Sequence, residues 1–198
     1  MSKNFLINSF VFTMIIIYYL NIFTKGRVDT LFELDSDKIL KQHQIYRLVT
    51  FSFLHGGLLH LVGNILIIRN VIYPFFQDKF SFSAFLGVFI LSTIMTGIAL
   101  ISYYSKNAFT FVGSSVGFYA FFGLMVIFYI NKGWDYFSLA ITQQPIYNNG
   151  LVWSIVIFFL GSFITSYWEN FKQFSGLFAH NISFLIGIII GILIKFGD

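Results

Sequence analysis

The apolar positions of this chain fall into six long blocks, at about 5–23, 54–73, 80–102, 108–131, 151–168 and 177–195. Each is near the roughly 20 residues that a helix needs to cross a bilayer. They predict an all-α, polytopic membrane protein, a bundle of six transmembrane helices forming a single domain over residues 1–198. The stretch between the first two blocks, residues about 24–53, has a different pattern and holds nine of the twenty formal charges. There Leu31, Phe32, Leu34, Ile39 and Leu40 are interspersed with Glu33, Asp35, Asp37, Lys38 and Lys41. That mixture predicts short amphipathic helices resting at the membrane interface. The other connections are short and carry turn signals, such as Tyr73-Pro74, Gln144-Pro145 and Asn148-Asn149-Gly150.

Composition sharpens the class. With 57% hydrophobic and 10% charged residues and a mean hydropathy of +0.80, the chain does not read as a soluble globule. Its net charge of +4 is carried by loops and ends, which suits membrane topology and not nucleic acid. Cysteine is absent, so there is neither a disulfide framework nor a thiol nucleophile. The first block follows a single Lys3 without a small-residue cleavage site, as a retained span would. With the N-terminus cytoplasmic, Lys3, Arg69, Lys79, Lys132 and Lys195 lie inside, against Lys106 and Lys172 in the short outer loops. This orientation obeys the positive-inside rule once the first loop is set aside; counting that loop reverses the balance. The lack of long extensions suits a bacterial cell membrane.

Among the polar side chains that enter the blocks, His60, Asn64, Ser115, Tyr119 and His180 carry groups with chemistry in common. All eight Asp and Glu residues lie in loops or at block ends, whereas a proton-coupled transporter or an aspartyl intramembrane protease needs a carboxylate within the bilayer. No H-E-x-x-H motif is present to hold a hydrolytic zinc. Alternate spans run in the same direction, so Ser115 near the start of the fourth and His180 near the start of the sixth reach a similar depth. A hydroxyl and an imidazole within reach of each other are the minimum for acyl transfer. A lone membrane serine more often bonds to its own helix, so the weight here rests on its company.

That company is patterned. His60 and Asn64, four apart on the second block, share a helix face and can both donate to a negative oxygen; they could equally bridge helices as polar glue. Ser115 and Tyr119 are also four apart. Gly113 and Ser114 before them allow an irregular start to the helix, leaving backbone N–H groups free for an oxyanion; Ser114 itself is expected to be dispensable. Ser183, Gly187 and Gly191 form a small-residue stripe on the His180 face, with Gly113 and Gly117 as its expected counterpart on the fourth block.

Taken together, these residues resemble the rhomboid intramembrane serine proteases, in four ordered pieces over most of the chain. Tyr46-Arg47 followed by Phe53-Leu54-His55-Gly56-Gly57 is similar to the family's Trp-Arg and F-L-H-G first-loop region. His55, His60 and Asn64 reproduce its H-x-x-x-x-H-x-x-x-N spacing. Gly113-x-Ser115 with Tyr119, Ala120 and Gly123 resembles G-x-S-G-x-x-Y-A-x-x-G, and Ala179-His180 with Ser183 and Gly187 resembles A-H-x-x-G-x-x-x-G. The resemblance implies a dyad with Ser115 as nucleophile and His180 as base. It further implies oxyanion stabilisation by His60, Asn64 and the Ser115 N–H, a Tyr119 ring packed on His180, and Gly113 shaping the serine loop. His55 and Arg47 would support the first loop. Three departures stand out: Val116 for the glycine after the nucleophile, Ser183 for the first glycine after the histidine, and Tyr46 for tryptophan.

The expected function is cleavage of peptide bonds in or beside the membrane. Substrates would be transmembrane segments of other proteins that reach the site laterally through the lipid bilayer, with no metal or organic cofactor and no nucleic acid involved. Because a transmembrane helix hides its carbonyls in hydrogen bonds, small or helix-weakening residues are expected near the cut. Two alternatives stay open: an inactive relative that binds membrane helices without cutting them, and a small transporter or channel subunit.

Overall fold

In the computed structural model, residues 3–77, 79–104, 108–131 and 175–194 are described. The predicted fifth span, about 151–168, lies outside them. Helix α1 covers Lys3–Phe23. The interfacial stretch folds into three short helices, α2 (Arg27–Phe32), α3 (Ser36–Gln42) and α4 (Arg47–Thr50), followed by a 3-10 turn at Phe51–Phe53. Next come α5 (Leu58–Ile67), a π-helical turn (Ile68–Ile72) and α6 (Tyr73–Phe76), which run on as one rod. The last three long elements are α7 (Phe82–Tyr103), α8 (Ser115–Asn131) and α9 (Ser175–Leu193). Four helices among the described residues are long and apolar enough to cross a membrane: Lys3–Phe23, Leu58–Phe76, Phe82–Tyr103 and Gly176–Leu193; Ser115–Asn131 is a shorter apolar helix.

Two sequence expectations are corrected. Tyr73-Pro74 is not a turn, since the helix passes through it. Proline lacks an N–H and its ring crowds the carbonyl four residues back. The wide π turn just before it, closed by Tyr73 N–H on the Ile68 carbonyl, relieves both problems without ending the rod. The fourth helix begins at Ser115, not near 108, because the preceding residues are extended. Within this mostly helical fold, β1 (Leu34–Asp35) and β2 (Thr110–Phe111) pair antiparallel, Leu34 opposite Phe111 and Asp35 opposite Thr110.

That small ladder matters because it ties the first loop to the segment leading into α8. It is extended by Ser36, whose N–H donates to the Phe109 carbonyl and whose hydroxyl accepts from the Phe109 N–H, both at 3.0 Å. The loop itself is held by Arg47, 2% exposed. Its guanidinium donates to the carbonyls of Glu33 (2.8 Å) and Thr30 (3.1 Å) and to Gln44 Oε1 (2.7 Å). Helices this short are not stable alone, and these bonds join the ends of three of them through one side chain. Tyr46, exposed, donates to the Leu31 carbonyl at 3.2 Å. Leu34, Leu48 and Phe51 then seat the loop on Gly97 of α7, where an added Cβ would lie 3.2 Å from Leu48 Cδ2.

The main core lies between α1, the α5–α6 rod, α7 and α8, and is filled by aromatic edges and faces such as Phe85 stacked on Phe121 at 4.9 Å. Against it α8 and α9 run parallel at close range. A Cβ on Gly187 would fall on the Ala120 backbone, one on Gly123 on the Phe184 carbonyl, and one on Gly191 within 2.8 Å of Ile127. The counterpart of the α9 stripe is therefore Ala120 and Gly123, not Gly113 and Gly117. Gly117 faces the ring of Phe89 on α7 instead.

Gly187→Ala probes how tightly these two helices touch. Alanine gains about 1 kcal/mol of helix propensity over glycine, but its methyl would meet backbone, which cannot rotate aside, and overpacking costs roughly 1–3 kcal/mol. The melting temperature in detergent should fall. An unchanged or raised value would mean that the helices stand further apart.

Candidate active site

The segment before α8 is extended, and Gly113 ends it at φ +146°, a conformation that side chains resist. Its N–H donates to the Phe51 carbonyl at 3.1 Å, so the first loop also sets the serine loop. The Ser114 carbonyl accepts from both Gly117 and Phe118 N–H groups (3.0 and 3.3 Å), which makes Ser114 the residue that opens the helix. The N–H groups of Ser115 and Val116 precede the first intrahelical bond and have no acceptor within the helix. They point, with the positive end of the helix dipole, to where an anion would be stabilised.

Ser115 Oγ and His180 Nε2 are 2.9 Å apart and both residues are buried. A hydroxyl that donates to Nε2 requires the ring proton on Nδ1, and that nitrogen is buried with no hydrogen-bond partner among the described residues. No carboxylate among the described residues orients the ring. Tyr119 does so by another route, lying flat against His180 with centroids 3.9 Å apart and planes 3° from parallel. Its π face also favours the imidazolium that a base becomes on taking a proton.

His60 sits over Gly113. A Cβ placed on that glycine would lie 3.1 Å from His60 Cε1, 3.7 Å from His60 Nε2 and 3.5 Å from Ser115 Oγ. The space above Gly113 is thus shared by the imidazole and the serine hydroxyl. Asn64 does not bond to Ser115; its Nδ2 donates to Ser114 Oγ at 2.8 Å. Ser114 Oγ lies also 2.8 Å from His55 Nε2, and the His55 ring meets His60 edge-on at 5.4 Å. Adjacent serines therefore face two different histidines. Arg47 stays in the first loop, away from this cluster. Among the described residues no three His, Cys, Asp or Glu converge as a metal site would require.

The residue that sequence reasoning undervalued is Ser114. A serine just before a predicted helix start was the available signal, but that position ordinarily turns its hydroxyl onto the helix's own N–H groups. Only the fold brings His55 and Asn64 to it.

The family model described as Rhomboid domain matches residues 42–196. The chain belongs to the rhomboid family. No curated protein matches it. Members of this family are generally intramembrane serine proteases, and the apolar helices make this rhomboid an integral membrane protein. Two of its departures from the family pattern meet each other: the Ser183 hydroxyl donates to the Val116 carbonyl. Val116 is fully buried with Leu34, Phe51 and Ala179. Among the described residues, positive φ outside glycine occurs only at Lys25 and His43, so Val116 keeps an ordinary backbone and its branched side chain is accommodated.

Two substitutions test this geometry. Val116→Gly removes a buried side chain and loosens the first turn, with an expected cost of roughly 2–4 kcal/mol. Melting temperature should drop while turnover stays flat or declines, and a clear rise in turnover would show a strained loop. Gly113→Ala should abolish turnover, since its methyl combines an unfavourable φ with occupation of the space between His60 and Ser115. Turnover within about threefold of wild type would mean that this space is not used.

Proposed function

We propose that this rhomboid is an active intramembrane serine endopeptidase that cleaves transmembrane or membrane-adjacent segments of other membrane proteins. The observation that carries the proposal is the buried 2.9 Å contact between Ser115 Oγ and His180 Nε2 at the start of two parallel helices. An inactive relative has no need to keep both groups, nor the Tyr119 ring stacked on the imidazole. In the proposed mechanism Ser115 Oγ attacks the scissile carbonyl carbon as His180 Nε2 takes its proton. The carbonyl oxygen becomes an oxyanion near the Ser115 N–H, His60 and Asn64. Collapse expels the amine, which takes the proton from His180 and leaves an acyl-serine. Water then attacks the ester, passing its proton to His180, and the second collapse releases the acid and restores the hydroxyl.

The proposed division of labour follows from magnitudes. Preorganised donors usually contribute more to acyl transfer than any other single effect, each worth about 10²–10³-fold in kcat when removed. A dyad without a carboxylate leans on them more heavily. Burial of the dyad strengthens these interactions but demands a water path; with the proposed cytoplasmic N-terminus the even-numbered spans start at the outer face, so the proposed site opens to that side. The substrate must present an unwound stretch, because a continuous helix offers no free carbonyl.

A fluorophosphonate should label the wild-type protein at Ser115 alone, and a reporter transmembrane substrate in liposomes should be cut. Ser115→Ala and His180→Ala should each abolish both activities, since members of a dyad act as a unit. Failure to label, with folded protein, would leave a helix-binding relative as the better reading. Asn64→Ala should slow cleavage by roughly 10- to 1000-fold; wild-type turnover would reassign Asn64 to packing.

A further inference from the structure

The mechanism leaves one buried nucleophilic group unused. Ser114 is fully buried at the position that opens α8, where a serine hydroxyl would normally accept from N–H groups of the first turn. One of these, the Val116 N–H, stands next to the Ser115 N–H that the mechanism assigns to the oxyanion. Here the hydroxyl is instead 2.8 Å from Asn64 Nδ2 and 2.8 Å from His55 Nε2.

A hydroxyl has a single hydrogen and two lone pairs. Asn64 Nδ2 donates into one lone pair; with the His55 ring proton on Nδ1, the Ser114 hydrogen goes to His55 Nε2. The reverse polarity would also close the chain of bonds: His55 would donate to Ser114, Ser114 to Asn64 Oδ1, and the amide would be turned over. The two differ in what they leave facing away from Ser114. In the first, Asn64 keeps its second N–H to offer; in the second, the amide nitrogen points elsewhere. The position of the His55 ring proton, just before α5, is thus coupled through Ser114 to the orientation of the Asn64 amide within α5.

We infer that Ser114 is a positioning residue for the oxyanion site, accepting from Asn64 and donating to His55 so that the Asn64 amide is held with its nitrogen toward the serine loop. It also keeps its own hydroxyl off the Val116 N–H, leaving that group free beside the Ser115 N–H. This inference rests on the protease reading. Ser114 forms no bond to substrate in it, and its effect passes through Asn64.

The test measures cleavage kinetics and melting temperature in one detergent for wild type, Ser114→Ala, Ser114→Thr, Asn64→Ala and the Ser114→Ala/Asn64→Ala double variant. Ser114→Ala should lower kcat by about 10- to 100-fold with KM within about twofold, less than outright loss of a donor. The double variant should be no slower than Asn64→Ala alone, because neighbours that act through one group do not add. Ser114→Thr, which keeps the hydroxyl, should recover most of the loss. Wild-type kcat in Ser114→Ala overturns the inference, as do losses that multiply in the double variant. So does a lowered kcat that tracks a lowered melting temperature and is not recovered by threonine, which indicates packing. If wild type neither cleaves nor labels at Ser115, the protease reading itself fails and takes this inference with it.

Discussion

The approach of α8 to α9 governs everything around the site. Where Gly187 meets the Ala120 backbone and Gly123 meets the Phe184 carbonyl, no side chain separates the two helices. In a membrane, where lipid is as apolar as leucine, such close backbone packing is a main source of helix association. Because the helices are parallel, the register that sets Gly187 against Ala120 also brings Ser183 to Val116 and, one turn earlier, His180 to Ser115. A shift of one turn, about 5.4 Å, would keep every residue and destroy the 2.9 Å contact. The glycine stripe is thus the register device for the serine and the histidine.

The first loop is the second support, acting on the same helix from its other end. Arg47 gathers the carbonyls of Thr30 and Glu33 and the Gln44 side chain. The loop so formed bonds to Phe109 and, through Phe51, to Gly113. Val116 packs into the small cluster that the loop shares with α7 and α9. Substituting valine for glycine after the nucleophile exchanges backbone freedom for contact area at the junction of loop, serine helix and histidine helix. The Ser183 hydroxyl, placed where the family pattern has glycine, meets the Val116 carbonyl and so ties the two exceptions together.

The two adjacent serine hydroxyls in this interior each have partners of their own. Two serines, adjacent in sequence, face different histidines: Ser115 faces His180, and Ser114 faces His55 with Asn64 as second partner. Burying a hydroxyl or an imidazole without a partner is costly. Segregating the pairs satisfies each hydroxyl without joining the reactive pair to a larger network.

How much of this could be read from sequence depends on what apolar residues report. Block length shows which segments must leave water, and four of the predicted spans correspond to helices long and apolar enough to cross a bilayer. Span parity put Ser115 and His180 at one depth, and four-residue spacing put Tyr119 one turn beyond Ser115, both being properties of a helix alone. The faces of the helices were another matter. Along α8 every residue from Ser115 to Met125 is buried, and in an apolar medium the lipid-facing and protein-facing sides have the same composition, so no periodicity separates them. For that reason the partner of the α9 stripe was misplaced onto Gly113 and Gly117. The passage of the helix through Pro74 depended on a π turn, and the attachment of Ser114 to His55 and Asn64 joins residues 59 and 50 positions apart. Sequence determined which segments enter the membrane and which residues carry chemistry; tertiary structure decided which hydroxyl meets which imidazole, because a hydrogen bond depends on ångström-scale packing that residue identity does not encode.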